Sequence, residues 1–213
     1  MADVYLEVTD KKVFAASLDW PGWGRFAKTE DDAMGALADY GTRYAPIAAA
    51  AGYAFPASPT FKVVERVPGT SATQFGVPDA HPDADNRAVT KAVADRHRKL
   101  LTAAWEAFAA FAATAPASLR KGPRGGGRDR DKMIDHVYGA EAGYGRKIGF
   151  KLPQPAIDDT AAIAAIHDEV VAILGRPHDG GPLVDNGWTS RYAARRYAWH
   201  VLDHLWEMQD RAE

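Results

Sequence analysis

The chain has 213 residues, enough for one large domain or two small ones with a sizeable core. With 46% hydrophobic residues, 25% charged residues and a net charge of −2, it is of the ordinary globular class, and nucleic acid is not an expected partner. It has no cysteine, which excludes disulfides, thiolate metal sites and a cysteine nucleophile, so any metal must be held by His, Asp or Glu.

The N-terminus has neither the basic region nor the long apolar region of a secretion signal. Elsewhere no apolar run approaches the roughly 20 residues that a membrane-spanning helix requires. We therefore expect a cytoplasmic protein with no membrane partner.

The first part of the chain predicts a small α+β module of order ββαβ. Residues 4–8 and 13–18 are apolar or alternating segments on either side of a polar turn, which is typical of a hairpin. Thr29 precedes three acidic residues, as at a helix N-terminus, and predicts a helix from about 30 to 50. Residues 60–66 alternate with period two and predict a third strand.

The second part of the chain predicts four helices. Alanine-rich stretches with helical spacing are interrupted by proline and glycine clusters. The predicted helices cover residues 84–113, 130–148, 157–174 and 188–212. We therefore expect two domains, an α+β module over residues 1–80 and a four-helix bundle over residues 84–213.

The last predicted helix carries two histidines one turn apart, His200 and His204, whose spacing suits two ligands of one ion. Both lie in or beside the stripe predicted to face the core, which consists of Tyr197, Val201, Leu205 and Met208. Two hydrogen-bonded core histidines would fit the same pattern. Glu207 lies close to this stripe and is a candidate fourth ligand, hydrogen-bond acceptor or general base.

A third candidate ligand, His136, lies at the margin of the core face of the second predicted bundle helix. That face consists of Met133, Val137, Ala140, Tyr144 and Ile148. Gly139, Ala140 and Gly143 are small enough to leave space beside His136. Three His ligands with an open fourth position are typical of a catalytic site, and both zinc and nickel accept them.

These two helices resemble the DinB/YfiT-like metal-binding four-helix bundles. The resemblance covers residues 84–213 and depends on Met-Ile-Asp-His-Val-Tyr at 133–138, Glu141, Tyr144 and the final His pair. In that family one His of the second helix and two of the last bind zinc or nickel, which implies His136, His200 and His204 as metal ligands. Many members have a basic residue and a glycine after the last His, where this chain has Leu-Trp-Glu-Met-Gln at 205–209.

The resemblance also implies a class of chemistry. Members include thiol-dependent transferases and isomerases, in which the metal lowers the pKa of a low-molecular-weight thiol such as mycothiol or bacillithiol. We therefore expect a metal-dependent transferase or hydrolase that activates water or a small thiol for a small-molecule substrate, with Glu207 as the candidate for proton transfer. One alternative is a noncatalytic binding or regulatory protein with the bundle as scaffold, and another is a purely structural His cluster.

The first module resembles the HicB-like domain. The resemblance depends on the strand and Pro-Gly turn at 13–23 and on the Thr-Glu-Asp-Asp-Ala helix start at 29–33. It implies a binding or accessory module, and the DNA-binding segment of the HicB antitoxins has no counterpart here. Trp20 and Trp23 flank the turn, where they could stack on a ligand or form an aromatic contact across the domain junction.

Several other features carry weaker predictions. Trp199, Leu202 and Trp206 give the last helix a second apolar face, which either the first module or a second subunit of a homodimer would cover. His97 fits a core histidine, or alternatively a fourth metal ligand. The basic loop at 120–130 fits a solvated loop, or one that gates the site or attracts an anionic cofactor. The remaining histidines, His81, His167 and His178, carry no assignment.

Overall fold

The computed structural model describes residues 1–122 and 126–212. Its four strands are β1 (Ala2–Val8), β2 (Val13–Ser17), β3 (Gly24–Ala27) and β4 (Phe61–Pro68). Its helices are α1 (Glu30–Asp39), α2 (Gly41–Ala50), α3 (Ser71–Gln74), α4 (Lys91–Thr114), α5 (Arg130–Ile148), α6 (Thr160–Leu174) and α7 (Ser190–Ala212). The predicted α+β class, with a sheet followed mostly by helices, is confirmed.

The strands form one mixed sheet of order β3-β2-β1-β4. The predicted hairpin is confirmed, because β1 and β2 pair antiparallel from Val4 opposite Ser17 to Val8 opposite Val13. The β4 strand pairs parallel with β1, and the crossover that parallel pairing requires runs through α1 and α2.

The predicted order ββαβ is wrong in two respects. The sheet has a further strand, β3, whose four residues are too few to show a period-two pattern. The single helix predicted from 30 to 50 is two helices that meet at Tyr40. The second begins at Gly41, a residue type of low helix propensity that permits the interruption.

The predicted bundle helices are close to those in the structure. Three agree within three residues, and α5 covers the predicted span 130–148. The exception is α4, which begins at Lys91 because Thr90 caps it by accepting a hydrogen bond from the backbone N of Val93. The residues before it include a short 3₁₀ turn at Asp83–Asn86. Among the described residues, no helix has the length and apolar character needed to cross a membrane.

The second apolar face of α7 is covered by the N-terminal module. The ring of Trp199 lies edge-on to Phe14 of β2 with centroids 5.9 Å apart, and Trp206 lies 5.3 Å from Tyr40. The Pro-Gly turn also packs on α7, where a Cβ on Gly22 would lie 2.7 Å from Cδ1 of Leu202. Most buried apolar residues of the sheet module and the helices belong to one shared hydrophobic core. The contact of Trp199 with Phe14 belongs to a second, smaller cluster that also joins the module to α7.

Trp20 and Trp23 belong to this interior. The Trp23 indole donates to the carbonyl of Leu37 at 2.9 Å, and both tryptophan rings lie edge-on to Phe55. The guanidinium of Arg96, on α4, lies 3.9 Å from the Trp20 ring centroid. Both tryptophans are buried. Trp20 contacts a bundle helix, as predicted for an aromatic contact across the junction, whereas the ring contacts of Trp23 lie within the module.

Candidate metal centre

The site is positioned by the packing of α5 against α7. On α7 the predicted core stripe of Tyr197, Val201, Leu205 and Met208 is fully buried. On α5 the buried face includes Met133, Val137 and Ile148. Because His136 lies beside one face and the pair His200 and His204 beside the other, the three imidazoles meet where the helices contact each other.

The three histidines lie close enough to hold one metal ion. One ring nitrogen from each of His136, His200 and His204 lies within 4.8 Å of the others. The closest pair joins Nε2 of His136 to Nε2 of His200 at 3.3 Å. Ligand nitrogens about 2.0–2.1 Å from a tetrahedral ion lie roughly 3.3–3.4 Å apart, so this pair already has the separation of two ligands. The donor set fits a divalent transition metal.

Glu207 fixes the orientation of His204. Its Oε2 lies 2.9 Å from Nδ1 of His204, and Nη2 of Arg211 lies 3.0 Å from its other oxygen. The hydrogen bond from His204 lowers the pKa of Glu207, so the carboxylate is ionised and can only accept. Nδ1 of His204 therefore carries a proton, which leaves Nε2 as the ring nitrogen available to a metal ion.

Burial keeps the other two imidazoles neutral. Desolvation, followed by the neighbouring His204, lowers the pKa of His136 to about 4. Desolvation also lowers the pKa of His200 well below its usual value, and His204 and His136 add to the effect. Neutral imidazole is the form that binds metals, so at neutral pH these two side chains need not lose a proton before they ligate an ion.

A cavity of about 960 Å³ opens beside the three histidines. Ala140 and Tyr144 line it, whereas Gly143 is exposed and is not on the lining. The space predicted beside Gly139 is not part of it, since a Cβ there would lie 2.6 Å from Oε1 of Gln154. The opposite side of the cavity belongs to the N-terminal module.

The sequence pattern did not reveal a buried cluster around Glu141. This carboxylate, 1% exposed, accepts from the indole of Trp105 at 2.6 Å and lies 3.1 Å from Nε2 of His167. The His167 ring stacks on Trp105 with centroids 3.8 Å apart. The sequence did contain one indication that Glu141 is buried, because it lies one helical turn after the core residue Val137. The cluster joins α4, α5 and α6 and lies outside the three-His group.

The other histidines are not ligands of this group. His97 is 3% exposed and is a core residue on α4, where burial lowers its pKa to about 3. His81 stacks on Tyr192 with ring centroids 3.7 Å apart. The backbone of His178 pairs with that of Val89. The basic loop at 120–130 falls partly on residues 123–125, which lie outside the described residues.

Comparisons of the chain with protein-family models, with curated proteins and with solved structures find no match. What the site can do chemically therefore has to be inferred from its own residues.

Proposed function

We propose that the protein is a metal-dependent enzyme in which α4–α7 form a DinB-like four-helix bundle. His136, His200 and His204 hold zinc or nickel, and the adjoining cavity admits a small-molecule substrate. The reaction is a transfer or hydrolysis that uses activated water or a low-molecular-weight thiol. One observation carries this proposal: three imidazoles, with ligand atoms within 4.8 Å of one another, lie on a cavity of about 960 Å³.

The cavity favours a catalytic site over a structural one. Structural zinc sites are closed by four protein ligands, whereas catalytic sites have three and keep one position open. Within the described residues the group able to hold an ion contains three His and no fourth His, Asp or Glu. A divalent ion in such a site lowers the pKa of the water or thiol that occupies the open position. Because the chain has no cysteine, any thiol must come from a separate molecule.

The contribution of Glu207 is mainly orientation. One of its oxygens is bonded to His204 and the other to Arg211, and a carboxylate with a lowered pKa is a weak base. Glu207 therefore holds His204 in the tautomer that ligates through Nε2. Its predicted role in proton transfer remains a prediction, supported by its place on the cavity lining.

The N-terminal module supports an enzyme more than the noncatalytic alternative. A HicB-like binding module would need a free surface for its partner. Here Arg25, Phe26 and Tyr40 line the cavity beside the three histidines. The module thus has a role within its own chain, and we propose that this role is to complete the substrate cavity.

Cobalt(II) substitution tests the proposal and distinguishes a site that activates a thiol from one that activates water. Cobalt replaces either metal, and its visible absorption reports changes in its ligands. We expect one equivalent to give a spectrum that changes when 2-mercaptoethanol is added, if the open position takes a thiol. A change with pH in the absence of thiol would instead indicate activated water. The His200→Ala variant should lose the spectrum, and His178→Ala should keep it. A bound cobalt that responds to neither thiol nor pH would contradict an open catalytic site.

A further inference from the structure

The acidic side chains of the cavity are already neutralised. Each of the three in the described lining is paired with an arginine: Asp203 with Arg25, Glu207 with Arg211, and Asp210 with Arg43. The pairs of Asp203 and Glu207 have N–O distances of 2.8 and 3.0 Å. These carboxylates therefore do not give the cavity a preference for cations.

Two further arginines on the lining have no carboxylate partner among the described residues. Arg128 forms no hydrogen bond or ion pair with any residue in the described part of the chain. Arg196 donates to the carbonyl of Pro78 and lies 5.4 Å from the Tyr144 ring centroid, while its Nε is buried without a partner among the described residues. Both arginines line the cavity together with the three histidines. Two positive charges thus lie beside the metal ligands.

The module contributes an apolar edge to the same cavity. Phe75 is 82% exposed and Phe26 is 36% exposed, and both are on the lining. They are joined through Gly76, whose φ is +83° and where a Cβ would lie 2.3 Å from Cε1 of Phe26. The ring of Phe26 therefore lies against this backbone, and Nζ of Lys12 lies 4.1 Å from the ring centroid, so Phe75 provides the larger exposed surface of the two. Binding of an apolar ligand over an exposed phenylalanine is favourable, because it removes apolar surface from water.

We propose that the cavity binds small organic carboxylates with an apolar, ring-sized body. The carboxylate is held by Arg128 and Arg196 beside the metal centre, and the body packs on Phe26 and Phe75. A guanidinium matches a carboxylate because it can donate two parallel hydrogen bonds. The volume of about 960 Å³ leaves room for such a molecule. This inference depends on the proposed function and specifies its substrate class, with the N-terminal module as the source of selectivity.

Three probes separate the two parts of the recognition. Calorimetry measures the affinity of the zinc-loaded full chain for 4-phenylbutyrate and for two reference ligands. The first, 4-phenyl-1-butanol, lacks the charge, and the second, butyrate, lacks the ring. We expect 4-phenylbutyrate to bind at least about tenfold more tightly than either, since a hydrogen-bonded charge contributes about 1.5–3 kcal/mol. Equal affinity for the alcohol and the acid would overturn the proposal.

Matched variants assign each part to its residues. Arg128→Gln should lower the affinity for 4-phenylbutyrate about tenfold and leave the affinity for 4-phenyl-1-butanol unchanged. Phe75→Ala should lower the affinity for 4-phenylbutyrate and leave the affinity for butyrate unchanged. The controls are Arg176→Gln and Ile157→Ala, which change an exposed arginine and an exposed apolar residue outside the lining. Unchanged affinity for 4-phenylbutyrate in both test variants would contradict the assignment.

Zinc content measured on the same samples separates the two proposals. Bound zinc without discrimination among the three probes would overturn the carboxylate site and leave the metal centre standing. Selective binding of 4-phenylbutyrate by a protein that takes up no zinc would support the carboxylate site and contradict the metal-dependent function.

Discussion

Glu207 accepts a hydrogen bond of 2.9 Å from Nδ1 of His204, and this contact determines which nitrogen of His204 faces His136 and His200. Arg211, one turn further along α7, holds the same carboxylate at 3.0 Å. The three side chains form a row along α7 from the centre toward the C-terminus of the helix. The position of Glu207, three residues after His204, is what allows it to reach the back of the imidazole.

Loss of this contact should weaken metal binding. We expect Glu207→Ala to lower zinc affinity by about 10–100-fold, the usual cost of removing an acceptor behind a ligand histidine. Glu207→Gln should recover part of the loss, because the amide oxygen can still accept. Competition with a chromophoric chelator measures the affinity. Glu169→Ala, at an exposed position on α6, is the control, and an affinity of Glu207→Ala equal to it would show that Glu207 does not position His204.

The cluster around Glu141 should contribute to stability and not to metal binding. Truncation to Ala removes a buried acceptor and leaves the Trp105 indole and His167 without it. We expect Glu141→Ala to lower the free energy of unfolding by about 2–4 kcal/mol, measured by urea denaturation. Its zinc affinity should be unchanged. Glu106→Ala, exposed on α4, should be close to neutral, and a similarly small effect of Glu141→Ala would contradict a structural role.

The pair of Asp85 and Arg195 should be essential to the junction between the module and the helices. Both are buried, and Nη2 of Arg195 lies 2.6 Å from Oδ2 of Asp85 in a bidentate contact. Asp85→Ala should cost about 3–5 kcal/mol, because it leaves a buried guanidinium without its partner. In the same denaturation series Glu30→Ala, which breaks an exposed pair with Arg66, should cost far less. Equal losses would show that burial does not determine the effect.

His97 should make the metal-free protein sensitive to acid. Its pKa is lowered from 6.5 to about 3, mainly by burial, so between these values the unfolded chain binds a proton that the folded chain does not. The contribution of His97 to the free energy of unfolding is fully present above pH 6.5. It decreases as the pH falls below this value, by up to about 1.4 kcal/mol per pH unit. Urea denaturation with chelator at pH 7.5, 6.5 and 5.5 measures the slope. The His97→Leu variant should show a shallower slope, and identical slopes would contradict the assignment.

The sequence was sufficient where local periodicity decides the structure. The i, i+4 spacing of His200 and His204 on an apolar stripe predicted two inward-facing imidazoles, and the span 130–148 placed His136 on a neighbouring helix. The structure brings all three together. The hairpin of β1 and β2 was equally visible, because a polar turn separates its two apolar strands.

Features that depend on packing between distant segments could not be predicted in this way. The strand β3 is four residues long and is defined by its pairing with β2. The cavity lining from Phe26 and Phe75 depends on how the module docks on α7, which no local pattern encodes. The contact of His167 with Glu141 likewise depends on the packing of α6 against α5, so the sequence alone indicated no role for His167.

We propose that His136, His200 and His204 hold one transition metal ion. Metal content by mass spectrometry on protein purified without an affinity tag tests it most directly, with His136→Ala and His200→Ala beside the unsubstituted chain and His178→Ala as the control. We predict about one zinc or nickel per chain in the unsubstituted protein and the control, and its loss in the other two variants. Absence of metal after incubation with both ions, or full retention in both variants, would contradict the three-His site.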